Sequence, residues 1–291
     1  MRQFPRRFLA ALLLLFILIP LQAPGETTET PDVSLPDLRA NAPEGTFLSP
    51  GEAPVITPEG YRSEHIAITI SHMRDDESRS NIVIADIYVS SVRYLRRGFA
   101  LDKWNGEMRS IKTIAPDAGA ILAMTGDYAN LISAGLVAAN GEVYRQNDNR
   151  VRDNCIILHD GQMLTYPRGE MKIEDALKMG LWHSFLFGPA LLEGGEAIAS
   201  FDSKIRNTNP RSALGYFAPG HYCFVVVDGR SAASRGMTLV QLSAFMRDLG
   251  CQTAYNLDGG QSAVMWFNGE LVNKPYKGGR RLMDIVYVGM E

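Results

Sequence analysis

From Tyr61 onward, apolar and polar residues alternate in short runs. Ile66, Ile68 and Ile70 alternate with Ala67, Thr69 and Ser71, the period-two pattern of a half-buried strand. Runs of the same kind predict strands at Ile82–Val89, Ile121–Met124, Cys155–Leu158, Tyr222–Val227, Ala263–Phe267 and Asp284–Val288. Asn268-Gly269 then reads as a hairpin turn. Between Thr238 and Leu249 the period changes. Leu239, Leu242, Met246 and Leu249 recur at helical spacing, Thr238 and Gln241 form a capping box, and Gly250 is placed to end the helix. A second helix is expected over Lys172–Met179. Strands outnumber helices without regular alternation, so the predicted fold is α+β, with a mixed, largely antiparallel sheet and a few packed helices in one catalytic domain.

The first sixty residues have another texture. Arg2, Arg6 and Arg7 precede an unbroken apolar run from Phe8 to Ile19, ended by Pro20. A basic flank and a run shorter than the ~20 residues of a bilayer span predict an export signal or a short membrane anchor over residues 1–23. The expected location is extracytoplasmic, with membrane contact only through this segment. Between Pro24 and Pro58 lie 7 of the 15 prolines, among acidic residues and no apolar periodicity. Residues 24–60 are therefore expected to be a disordered linker, and the domain to run from 61 to 291.

Composition narrows the function. The chain has 291 residues, 46% of them hydrophobic, which is enough for a sizeable core. Its formal charge of −3 lacks the basic excess of a dedicated nucleic-acid binder. Cys155, Cys223 and Cys251 all sit in or beside apolar runs, so buried free thiols are expected, with one disulfide plus a leftover thiol as the alternative. There is no P-loop, no G-x-S-x-G and no H-E-x-x-H. Polar punctuation at strand ends stands out instead: Thr125-Gly126-Asp127-Tyr128, Asp228-Gly229-Arg230-Ser231, and Asp258-Gly259-Gly260-Gln261-Ser262. Paired glycines let backbone N–H groups approach an anion, and the forks of Arg211 and Arg230 suit a phosphate or carboxylate. Asp127, Asp228 and Asp258 are candidate carboxylates or plain turn formers.

In combination the signals are specific. The order N-P-R-S-A-L-G, V-V-V-D-G-R-S, S-R-G-M-T-L, N-L-D-G-G-Q-S-A and N-G-E-L-V-N between Asn209 and Pro275 closely resembles the phosphodiester glycosidase family, in its exported bacterial branch. Thr125–Tyr128, Gly135–Arg145, Asp153–Gly161 and Phe187–Leu191 extend the resemblance upstream. Two positions depart from the pattern: Thr125 replaces an asparagine, and Gln261 a third glycine.

The resemblance implies a hydrolase that cleaves the glycosidic bond of a sugar 1-phosphodiester, in envelope or exopolysaccharide glycans. It places Asp258, Asp228 and Asp127 as catalytic candidates. Arg211, Arg230, Gly259, Gly260, Ser262, Thr125 and Tyr128 fall on the substrate and its phosphate. The partner is a glycan or sugar phosphate, and no cofactor is required. Two alternatives stay open. A metal-dependent phosphodiesterase would use the three aspartates as ligands of a divalent cation. A non-catalytic glycan-binding or envelope-assembly module would keep the pocket without turnover, a reading that Thr125 and Gln261 sustain.

Overall fold

The computed structural model describes residues 35–128 and 132–290. The expected signal or anchor, and residues 24–34 of the expected linker, lie outside them.

Three antiparallel sheets surround a common core. The largest has seven strands in the order Val55–Thr57, Gly60–Arg62, Ile66–Asp75, Ser80–Val89, His221–Val227, Arg211–Ala218, Thr253–Leu257. A five-stranded sheet runs Glu270–Leu271, Met265–Phe267, Ala120–Thr125, Asp284–Gly289, Leu95–Phe99. The third is Met163–Tyr166, Asn154–Leu158, Leu181–Phe185. Ile68, Ile87, Phe224 and Leu257 from the first meet Leu122, Met124, Met265 and Val286 from the second, and Cys155, Ile157 and Phe185 from the third.

One short helix covers the outer face of each sheet. Leu239–Asp248 packs Leu239, Leu242 and Met246 on Cys223, Val225 and Val227 of the large sheet. Ile111–Asp117 packs on Ala123, Trp266, Ile285 and Tyr287. Ile173–Lys178 covers Ile156, Leu158 and Leu181 through Ala176. This double burial explains the continuous apolar run in His221–Val227. Tyr222, Phe224 and Val226 face the common core and Cys223, Val225 and Val227 face a helix, so no position after His221 is left for a polar side chain.

The predicted elements are present with shifts of a few residues at their ends. Thr238 and Gln241 make both bonds of the capping box, worth about 1 kcal/mol for the threonine cap alone. Asn268 and Gly269 both take positive φ in the hairpin joining Met265–Phe267 to Glu270–Leu271. The fold is more β-rich than the expected α+β balance. Strands such as Arg211–Ala218, Leu95–Phe99 and Leu181–Phe185 carry Arg, Gly, His and Ser inside a buried sheet, so hydrophobic alternation does not mark them. Among the described residues no helix is long and apolar enough to cross a membrane.

The expected linker is corrected over its second part. Residues 35–60 lie on the domain: Leu38 is buried, its N–H donates to Ser90 O at 2.8 Å, and Val55–Thr57 adds an edge strand. A single leucine and a three-residue strand are enough to dock a segment that shows no apolar period. Leu38 packs beside Gly161 and Gly220, at the end of the large sheet where His221–Val227 begins. The three cysteines are free and buried, with Cys223 and Cys251 sulfurs 3.8 Å apart.

Candidate active site

Strand pairing gathers most of the candidate residues at one end of the large sheet. Arg211–Ala218 lies between His221–Val227 and Thr253–Leu257, antiparallel to both, with Arg211 opposite Val227 and Ser212 opposite Leu257. Arg211, Asp228 and Asp258 therefore emerge together. The five-stranded sheet delivers Thr125–Tyr128 to the same place, where the Asp258 N–H donates to Gly126 O at 3.2 Å.

Asp258 is the carboxylate most engaged with charged and hydroxyl partners there. Its side chain is 9% exposed, and Arg280 Nη2 donates to its Oδ2 at 2.6 Å. Arg280 Nε also donates to the buried Ser262 hydroxyl, so one guanidinium bonds both Ser262 and Asp258. Burial raises the Asp258 pKa above the usual carboxylate range, and Arg280 opposes that shift. The Arg280 guanidinium lies over the Tyr128 ring, 5.0 Å from its centroid.

The paired glycines work by close packing. A side chain at 259 would place its Cβ 2.7 Å from Pro210 O, and Gly260 takes φ +63° with Arg230 Nη2 only 3.3 Å from where a Cβ would stand. The 258–262 turn can thus lie against Pro210 and beneath Arg230. The expectation of converging amides is corrected in one respect: the Gly260 N–H already donates to Pro210 O at 2.9 Å. Arg230 itself is exposed, bonds Asn209 Oδ1 at 2.8 Å and stacks over Tyr276 at 5.3 Å. Tyr276 and Arg280 belong to one loop, which Gln261 ties to the turn by donating from Nε2 to Gly279 O. The glutamine that replaces a family glycine is therefore directed at that loop.

Three expected site residues hold the scaffold. Arg211 is buried and donates to Met237 O and Ile205 O, both at 2.8 Å, and to Asn207 O, so its fork is directed at backbone carbonyls and not at an open phosphate site. Burial, with Arg230 nearby, lowers its pKa to about 10. Asp228 accepts from Asn273 Nδ2 at 2.8 Å and from the Lys274 N–H, closing the hairpin of the loop that carries Arg280. Asp127 is fully buried and accepts from the Leu186 and Phe187 N–H groups, with Arg97 Nη2 at 3.6 Å. Thr125 is buried at the end of its strand, opposite Ile285.

Four residues had no role in the sequence reading. Arg280 sits in an unremarkable G-G-R-R run, and Asp284 reads only as a strand start. Asn273 falls inside a motif without any chemical signal of its own. Arg97 lies in an arginine-rich strand, and only its burial beside Asp284 and Asp127 reveals its function.

The three-aspartate cation site does not form. Each carboxylate is directed at separate protein donors, and among the described residues no group of three or more His, Cys, Asp or Glu side chains is placed to hold a metal ion. A cleft of about 550 Å³ between residues 146–150 and 171–175 contains none of the candidate residues.

Comparison with known proteins agrees with this architecture. The chain resembles the catalytic domain of zebrafish N-acetylglucosamine-1-phosphodiester alpha-N-acetylglucosaminidase auto-inhibited by its pro-peptide, with TM-score 0.62 and 20% identity over 78% of this chain and 83% of that one. It also resembles a hypothetical protein from Synechocystis, with TM-score 0.51 and 16% identity over 80% and 64%. In sequence it is 28% identical over 145 residues to the SPbeta prophage-derived uncharacterized protein YomE of Bacillus subtilis (strain 168), covering 48% of this chain and 22% of that protein. It is 24% identical over 183 residues to the mouse N-acetylglucosamine-1-phosphodiester alpha-N-acetylglucosaminidase, covering 57% and 35%. The matched region thus spans about a third or less of either relative. The family model described as phosphodiester glycosidase matches residues 118–289, more than half of the chain and every loop of the site just described, and the chain belongs to that family.

Proposed function

We propose that this chain is an exported hydrolase that cleaves the glycosidic bond of a sugar 1-phosphodiester, with envelope or exopolysaccharide glycans as its substrate class. One observation carries the reading: a buried carboxylate, Asp258, paired with Arg280 in a turn that has the exposed Arg230 over its glycines. The name of the mouse relative supports the linkage, and the basic, apolar N-terminus supports export.

The chemistry suits these groups. In hydrolysis the anomeric C–O bond breaks, the bridging oxygen leaves with the phosphate, and a water oxygen bonds the anomeric carbon and releases a proton. A phosphate leaves far more readily than a sugar alkoxide, so the site has little need of a strong general acid. Arg230 holds phosphate charge. Asp258 faces the positive charge that develops at the anomeric carbon, or takes the proton of the attacking water.

The test is turnover of a panel of sugar 1-phosphodiesters in oxygen-18 water. Label in the sugar hydroxyl is expected. Label in the phosphate would mean P–O cleavage, and binding without turnover across the panel would make the chain a glycan-binding module.

A further inference from the structure

We propose that Arg280 grips the substrate phosphate directly while it holds Asp258, so that one guanidinium sets the distance between the leaving group and the carboxylate. The inference rests on the phosphodiester reading above and adds a residue to it.

A guanidinium carries five N–H groups. In Arg280 one of them, on Nε, bonds Ser262, and one on Nη2 bonds Asp258. The described residues offer Nη1 no partner. The remaining donors lie on a side chain that is 38% exposed, against 9% for Asp258. The guanidinium thus stands between the carboxylate and solvent with a fork still open. Stacking over Tyr128 and the bond to Ser262 hold its plane, so a ligand finds the fork already oriented.

The geometry then fixes a separation. Asp258 Oδ2 lies 2.6 Å from Nη2, and a phosphate oxygen bound to a guanidinium N–H lies about 2.8 Å away. Carboxylate and phosphate oxygens on the same nitrogen are therefore about 5 Å apart at most, whereas the anomeric carbon is only two bonds from phosphorus. Asp258 is within reach of that carbon when the phosphate sits on Arg280. Arg230, over Gly260 of the same turn, bonds Asn209 and has no bond to Asp258.

The experiment compares wild type with Arg280→Met and Arg280→Lys by steady-state kinetics on a sugar 1-phosphodiester, and by the rise in melting temperature that inorganic phosphate produces. Arg280→Met is expected to raise KM at least ~10-fold and to abolish the phosphate-induced rise. Arg280→Lys, which keeps charge but loses the fork, should raise KM at least ~3-fold and keep a reduced rise. If the methionine variant fails to fold, the lysine variant alone decides. Wild-type KM and an undiminished phosphate effect in the folded variants, with only kcat lowered, would overturn the inference and leave Arg280 as a residue that merely positions Asp258. Should the wild-type protein turn over no phosphodiester, the proposed function falls, and the phosphate arm still decides the role of Arg280.

Discussion

Arg97 Nε donates to Asp284 Oδ2 at 2.8 Å, and its Nη2 lies in ion-pair contact 2.6 Å from the same oxygen, with the two side chains almost wholly out of water. The same carboxylate accepts the N–H groups of Asp127 and Tyr128. One buried pair therefore shapes the turn that brings Tyr128 beneath Arg280.

Asp284→Ala should leave the Arg97 charge short of a partner and free two amides. Breaking a buried pair from one side typically costs about 3–5 kcal/mol, and urea unfolding should show a loss of that order. A loss below about 1 kcal/mol would mean that water replaces the carboxylate without penalty.

Asp258→Asn keeps the shape of the side chain and an oxygen for Arg280 to bond. Stability should change little, whereas kcat should fall ~100-fold or more, the scale for one positioned acid–base group. An asparagine variant with near wild-type turnover would place Asp258 among the turn formers.

The two arginines first assigned to the phosphate should now behave differently. Arg230→Lys should lower kcat/KM about 10-fold or more at constant melting temperature, because the exposed fork is lost. Arg211→Lys should instead destabilise by roughly 1.5–3 kcal/mol, the scale of hydrogen bonds to charged groups, because its fork reaches three backbone carbonyls. Equal effects of the two changes on turnover would return Arg211 to the phosphate.

Asp127 makes stability pH-dependent. Burial raises its pKa to about 7 in the folded protein, whereas an unfolded aspartate titrates near 3.9, so between about pH 4 and 7 the folded chain holds a proton that the unfolded chain has released. The stability this proton contributes is full below about pH 4 and is lost as the pH rises to 7. Urea midpoints of wild type relative to Asp127→Asn should therefore fall across that window. A difference that is flat with pH would mean that Asp127 stays ionised in the fold.

Leu38 tests the domain boundary. Leu38→Ala removes a buried side chain from the segment before Tyr61 and should cost about 2–5 kcal/mol. Limited proteolysis should leave a stable fragment that retains Leu38; a stable core beginning at Tyr61 would show that the segment adds nothing.

The residues that announce themselves in the sequence are those whose signal is local. Alternation marks Ile66–Ile70 as strand, Thr238 and Gln241 cap a helix wherever they stand before an apolar stripe, and Asn268-Gly269 makes a hairpin turn from its own backbone preferences. The family motifs, too, lie in runs of adjacent residues, and the strand-end loops that carry them come together at one end of the large sheet.

The partners of each residue within those loops were decided by contacts across the fold. Arg211 and Arg230 carry the same fork, yet one ends among carbonyls and the other over Gly260. Asp127, Asp228 and Asp258 all precede or follow glycine at a strand end. Amides hold the first, a neighbouring hairpin holds the second, and Arg280, 22 residues along the chain, holds the third. A carboxylate's chemistry depends on its burial and on the charges within a few ångströms, and those neighbours come from other strands. The sequence by itself determined the alternating strands, the capped helix and the Asn268-Gly269 turn, because their signals are local; which side chains meet was settled only when the sheets packed around one core.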